Sequence, residues 1–427
     1  MQPTSAAAAP TSQADQEMGG EEWWVEHFDH ASPEVASHIH DVLRDMRARC
    51  PVTHSQEYGG HWVVTGYADV LEVAQDWRTF SSAQGVGLTD AAPVVPPIPE
   101  WSDPPVQREY KRLINAYFTP AVVSRYEQPI RTLATALVDG FVERGQCEFM
   151  AEFARPFPGL AFFDQVLHAP PDEIAHINDL STAAATPNHP LGRKAWEGMF
   201  GWITEFVAQR RRQSPRQDVV DAVLGAHIEG RPITDAEVYG LIQLLILGGL
   251  DTTAGALGQF VVRFAREPAI PELLRSRPEL IPAAVEELLR LEGPFVFIGR
   301  RVTRDAVIGG KEMKAGERAL ISWASANRDE KEFEDPDTFD LSRRTNRHVA
   351  FGAGPHRCAG SNFARMNLRI ALEELLMRLD DIRLDDGAEP IAYHSAFNRA
   401  PLRVPITFTP GPRVLGEDDP VVQVHGE

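Results

Sequence analysis

Cysteine is scarce in this chain: Cys50, Cys147 and Cys358 are the only three among 427 residues, with no CxxC pair. That excludes a disulfide framework and makes a reducing cytoplasm the expected compartment. Positive charge is also short. Lys and Arg total 42 against 61 Asp and Glu, and the formal net charge of −19 argues against general binding to nucleic acid or to an anionic membrane. Residues 1–22 have neither a basic region nor an apolar run of anchor length, so a disordered tail is expected there. No internal repeat, low-complexity block or interdomain linker interrupts the rest of the chain. With an ordinary hydrophobic fraction of 43%, the expectation is one large domain over residues 23–412, beginning near Trp23 and Trp24, and an acidic tail over 413–427.

One of the scarce cysteines sits in unusual company. Phe351-Gly-Ala-Gly-Pro-His-Arg-Cys358-Ala-Gly360 is a glycine-rich loop, and the apolar residues Phe363, Met366, Ile370, Leu372 and Leu375 predict a helix directly after it. Unpaired N–H groups and the helix dipole would then lie beside the sulfur, lowering its pKa and favouring a metal-binding thiolate. Gly352, Gly354 and Gly360 lack a Cβ, which allows backbone to approach a flat ligand closely. A lone intracellular cysteine is more often an inert buried thiol, and the choice turns on the rest of the chain.

Residues 233–264 form the second informative stretch. Thr234 and Glu237 make a capping box, the run from Leu241 to Leu250 is apolar on all sides, and no proline occurs before Pro268, so one continuous core helix is expected. Gly248-Gly249 would cost that helix about 1 kcal/mol each, leaving room for something against the backbone. In the adjoining Asp251-Thr252, the hydroxyl can bond the Gly248 carbonyl one turn earlier.

Elsewhere the signals are local. Residues 34–49 read as an amphipathic helix, on which His38 and His40 do not share a face. Residues 81–105 are irregular, rich in proline and apolar, as expected of a lid over an apolar guest. Asp103 is placed to cap the next helix, where Gln107 and Lys111 stand four apart on one face. Residues 188–202 are a weaker candidate cover. Glu287 and Arg290 can pair at i,i+3, residues 295–300 alternate towards a strand, and residues 307–321 read as a hairpin. Between Leu341 and Leu372 lie Arg343, Arg344, Arg347, Arg357, Arg365 and Arg369 with no acid, an expected basic face on the cysteine side.

Three of these stretches resemble one family. F-x-x-G-x-H-x-C-x-G from Phe351 to Gly360 resembles the haem-ligand signature of the cytochrome P450 family. Gly248-Gly-x-Asp-Thr252 resembles its oxygen-activation motif and Glu287-x-x-Arg290 its buried structural pair. Gly145-Gln-Cys-Glu-Phe, Pro156-Phe-Pro and Gly230-Arg-Pro-Ile-Thr are similar to the soluble bacterial branch that includes camphor hydroxylase. The resemblance implies a mainly α fold with small β-sheets, a single P450-type domain enclosing haem b between the helix of Gly248 and the loop of Cys358.

It also implies roles. Cys358 would be the metal ligand, with Phe351 and Gly360 as cofactor-binding parts of its loop. Gln107, Lys111, Arg300, His348 and His356 would serve the haem propionates; the family usually has His and Arg at the first two positions. Asp251 and Thr252 would manage protons, Glu287, Arg290 and Arg343 would be structural, and Leu244, Leu247, Gly248, Phe295, Val296 and Phe397 would line the substrate pocket. The implied reaction is hydroxylation of a small apolar substrate (terpenoid, ionone-like, fatty acid or steroid) by a cytoplasmic monomer. It would use O2 and electrons from NAD(P)H through a reductase and an acidic ferredoxin, without membrane or nucleic acid. A haem-bound sensor or carrier, or a peroxide-using or isomerising relative, is the alternative; the intact Asp251-Thr252 pair favours the monooxygenase.

Overall fold

Apolar residues on every side of Val238–Ile246 leave that segment no stable place except a core, and the fold is assembled around it. The computed structural model describes residues 26–88, 93–385 and 387–416; the expected tail over 1–22, the start at Trp23 and Trp24, and residues 417–427 lie outside them. Helices predominate. Those that bear on the site are α1 (Pro33–Arg49), α2 (Tyr67–Gln75), α3 (Val106–Asn115), α4 (Glu127–Asp139), α5 (Pro156–Phe162), α6 (Ile174–Ala185), α7 (Gly192–Arg210), α8 (Asp235–Gly249), α9 (Asp251–Arg266), α10 (Ile281–Glu292) and α11 (Ser361–Arg378).

The expected continuous helix is two helices. Thr234 and Glu237 form a full capping box at the start of α8, and Leu250 then departs from helical geometry with φ −101° and ψ −80° before α9 begins. Glycines 248 and 249 give the backbone freedom there that an alanine pair would not. A Cβ on Gly249 would stand 2.9 Å from the Phe162 ring of α5, so close packing of these helices requires glycine. The combined run Asp235–Arg266 is apolar and long enough to cross a bilayer, but 67% of its most apolar window is buried inside the fold.

The sheets are small. Five strands run in the order β1 (Val52–Ser55), β2 (His61–Val64), β6 (Arg318–Ser322), β5 (Phe297–Val302) and β3 (Phe80–Ser81). Leu320 pairs with Val63 in parallel and with Gly299 in antiparallel register. A second sheet pairs β7 (Asp380–Leu384) with β8 (Pro405–Thr409) and β8 with β4 (Gln146–Glu148). The expected hairpin over 307–321 is divided: Ala306–Ile308 pairs with Lys311–Met313, whereas the following strand joins the large sheet.

The irregular 81–105 segment is fastened to α8 at Val95 and Ile98. Ile98 N donates to Gly240 O at 3.2 Å, and the Gln243 side chain donates to Val95 O at 2.8 Å. Asp103 does not cap α3, because its carboxylate accepts from Ser82 N and the Ser81 hydroxyl.

Candidate active site

The cysteine loop is held from three sides. Gly354 has φ +68°, a left-handed geometry suited to glycine. Cys358 N donates to Phe351 O at 2.8 Å, closing the loop, and α11 begins three residues beyond the sulfur. From α3, Gln107 Nε2 donates to Pro355 O at 2.8 Å, Lys111 Nζ to the same oxygen at 2.6 Å, and Lys111 also to Arg357 O. Lys111, expected beside a propionate, directs two of its three N–H donors to the loop carbonyls.

Beneath the loop lies a buried ionic cluster. Arg290 Nε and Nη2 donate to the two Glu287 oxygens at 2.9 and 2.7 Å, and Arg343 Nε reaches the same carboxylate at 3.0 Å. Asn346, which no motif or spacing singles out, supplies a fourth donor at 3.1 Å. Arg290 also bonds Asn327 O, and the Asn327 side chain accepts from Val349 N, so the cluster reaches the start of the cysteine loop. His348 corrects an expectation: its Nε2 is 2.9 Å from Glu286, and its Nδ1 accepts from Ala350 N, leaving neither nitrogen for a propionate. Burial pushes the Glu286 carboxyl up, but His348 and Arg365 outweigh it and bring the pKa down to about 2.

The basic face shrinks on folding. Arg343 is on Glu287, Arg365 on Glu286, and Arg369 on Glu127 and Glu373. Arg347 lies 3.9 Å from Glu332. Among the described residues, Arg344 and Arg357 alone of the six have no carboxylate within 4.0 Å.

Cys358 has accessible surface yet is densely surrounded by protein, as a side chain in the wall of an internal cavity would be. Burial pushes its thiol up, against the expectation of a helix-lowered pKa; Gly360 N–H, Lys111, Arg357 and Arg365 act in the opposite direction. A metal cation at the sulfur would favour the thiolate. At the end of α8, a Cβ at Gly248 would meet no atom within 4 Å, so backbone borders open space. Arg300 Nη2 and His356 Nε2 are among the polar atoms buried without partners, as is Gln107 Oε1. Burial with Arg300 and Lys111 nearby lowers His356 to about 3, so it is a neutral imidazole able to donate, while Arg300, lowered by burial to about 10, keeps its charge at neutral pH. A thiol, two orphaned donors suited to carboxylates and an open backbone wall fit an iron porphyrin with acidic side groups.

Thr252 Oγ1 donates to Gly248 O at 3.1 Å. Asp251 is pushed up to about 6 by burial, against the stabilising hydroxyl of Thr182, which lies 2.9 and 3.0 Å from its two oxygens. Thr182 belongs to α6 and is 69 positions away in sequence, with no local signal that could have revealed it. Phe295 and Phe397 stack edge to face at 5.2 Å, and Leu244 and Leu247 are half-buried on α8. Val296 departs from its expected place: it is 1% exposed within a core cluster that includes Phe28 and Ile39, presenting almost no surface to a guest.

Comparison with known proteins points the same way. The family model described as Cytochrome P450 matches residues 274–402. Steroid C26-monooxygenase of Mycolicibacterium smegmatis is 32% identical over 384 residues, covering 88% of this chain and 94% of that protein. Linalool 8-monooxygenase of Pseudomonas putida is 31% identical, covering 81% and 90%. The solved structure of cytochrome P450 CYP109Q5 from Chondromyces apiculatus superposes with a TM-score of 0.79 at 30% identity, covering 91% of this chain and 99% of that one.

Proposed function

Because this chain belongs to the cytochrome P450 family, we propose that it is a ferredoxin-dependent hydroxylase of small apolar molecules whose iron is ligated by Cys358. It is a P450 monooxygenase and its cofactor is haem b. When bound, haem supplies the activation of dioxygen that side chains alone cannot perform. Cys358 Sγ would hold the iron, and Arg300 and His356 would receive the propionates, with Gln107 bracing the loop between them. The observation that carries this assignment is the conjunction of the walled Cys358 thiol with the orphaned Arg300 and His356 donors.

Asp251 and Thr252 are assigned to proton handling. A carboxyl with a pKa near 6 holds and releases a proton close to neutral pH. The Thr252 hydroxyl, one residue on, faces the Gly248 carbonyl at the open wall and can turn from it to pass that proton on. Phe295, Phe397, Leu244 and Leu247 favour an apolar guest, and relatives named for a steroid and for linalool support a steroid or terpenoid class. Arg344 and Arg357, without a carboxylate within 4.0 Å among the described residues, favour docking of an acidic ferredoxin. The protein is read as a cytoplasmic monomer.

Reduction under carbon monoxide tests the ligand: the strongly red-shifted Soret band of thiolate-ligated haem is expected, and its absence from the wild type would sink the assignment. With a ferredoxin, its reductase and a terpenoid and steroid panel, labelled O2 should appear in product, and Thr252→Ala should consume electrons without matching product. Tight coupling in that variant would remove Thr252 from the proton path.

A further inference from the structure

The three hydrogen bonds from α3 to the cysteine loop do more than brace it. Lys111 Nζ donates to Pro355 O at 2.6 Å and to Arg357 O, the carbonyls three residues and one residue before Cys358. Gln107 Nε2 shares the first of these oxygens at 2.8 Å. Cys358 follows the second of these carbonyls directly, so the path of the backbone into the sulfur is held by a cation on a helix. Lys111 and Cys358 are also electrostatic neighbours, each favouring the charged form of the other. Arg357, the remaining charge at this point, directs no side-chain hydrogen bond to the loop and is exposed. Arg365, the other cation acting on the sulfur, is neutralised by the Glu286 carboxylate at 2.7 and 2.8 Å and lies over the Phe351 ring. Of the positive groups around the thiolate, Lys111 is thus the one both fastened to the loop and without a carboxylate within 4.0 Å among the described residues.

We propose that Lys111 is a positioning residue for the Cys358 thiolate: it clamps the loop through two carbonyls and places a positive charge that lessens electron donation from sulfur to iron. This rests on the haem-thiolate reading of the site. Partners beyond the ligating atom commonly orient a metal ligand and tune its potential, through charge and hydrogen bonding around sulfur. With two of the ammonium's three donors on loop carbonyls, its influence is assigned to the thiolate and not to a propionate.

Resonance Raman spectroscopy separates these two routes, since the Fe–S stretch reports the thiolate and the propionate bending modes report the carboxylates. In the holoenzyme, Lys111→Met should lower the reduction potential and raise the Fe–S frequency while the propionate modes stay put. Its ferrous carbon monoxide complex should also convert severalfold faster to the thiol-ligated form. Lys111→Arg, which keeps the charge and two donors, should restore potential and Fe–S frequency. If Lys111→Met takes up too little haem, Lys111→Gln makes the same comparison, keeping one donor without the charge. Any other pattern overturns the proposal: moved propionate modes would make Lys111 a propionate ligand, and unmoved potential and Fe–S stretch would make it an ordinary surface lysine. A wild type with no Fe–S stretch would instead overturn the haem-thiolate reading itself.

Discussion

Asp251 shows how much one side chain's chemistry depends on its surroundings. Burial raises its pKa from 3.8 to about 6, with Asp179 adding to the rise and Thr182 and Arg155 opposing it. A carboxyl raised in the folded state contributes its full stability below the unfolded pKa and loses it as pH climbs through the folded one. The shift corresponds to about 3 kcal/mol, lost between roughly pH 4 and pH 6. Asp251→Asn should abolish that decline, so thermal melts of variant and wild type should diverge between pH 4 and pH 6 and stay apart above it, in favour of the variant. Melts that stay parallel from pH 4 to pH 8 would show that the carboxyl is not buried as described. The same neighbourhood explains why a proton can be held here near neutral pH at all.

At the scale of the element, the cysteine loop is a backbone problem before it is a chemical one. Gly354 combines φ +68° with a site where any Cβ would collide with the Ala74 carbonyl at the end of α2. Gly354→Ala must therefore both adopt a disfavoured conformation, at about 1–3 kcal/mol, and push α2 away. Lower haem occupancy and a depressed melting temperature are expected, with the residual haem losing its thiolate signature fastest; full occupancy at an unchanged melting temperature would contradict the packing. The break between α8 and α9 has a similar logic. Sequence patterning predicts one helix because the apolar and capping signals are continuous, whereas the helix departs from regular geometry at Leu250, next to Gly249, which packs against Phe162 of another helix.

Across the whole molecule, charge is organised in two different ways. Under the loop, Glu287 receives Arg290, Arg343 and Asn346 with almost no solvent access, so removing the acid strands buried cations. Glu287→Ala should cost about 3–5 kcal/mol, read as a lower denaturant midpoint together with haem loss; a midpoint like that of the wild type would mean the cluster is dispensable. On the surface, Arg344 and Arg357 are the arginines of the basic stretch left without carboxylates among the described residues, and a screened, long-range role suits them. Replacing both with Gln should slow reduction by an acidic ferredoxin and flatten its salt dependence while leaving the melting temperature nearly unchanged. Reduction with wild-type rate and salt slope would move the docking site elsewhere.

The chain's own order was enough to mark Cys358, the Gly248 to Thr252 segment and the Glu287, Arg290 pair, because their chemistry is carried by residues close in sequence: glycines that turn a loop, a hydroxyl one turn from a carbonyl, an acid and a base three apart. The mainly α character was legible for the same reason, since helical periodicity is a local property. What only the tertiary structure decided is who partners whom at long range. His348 goes to Glu286 and not to a propionate position, Lys111 to the loop carbonyls, Asp251 to Thr182, and four of the six arginines to carboxylates supplied mostly by other elements. A long polar side chain satisfies whichever buried partner folding brings within 3 Å, and burial then sets its charge. Neither distance nor burial is written in the spacing of residues along the chain.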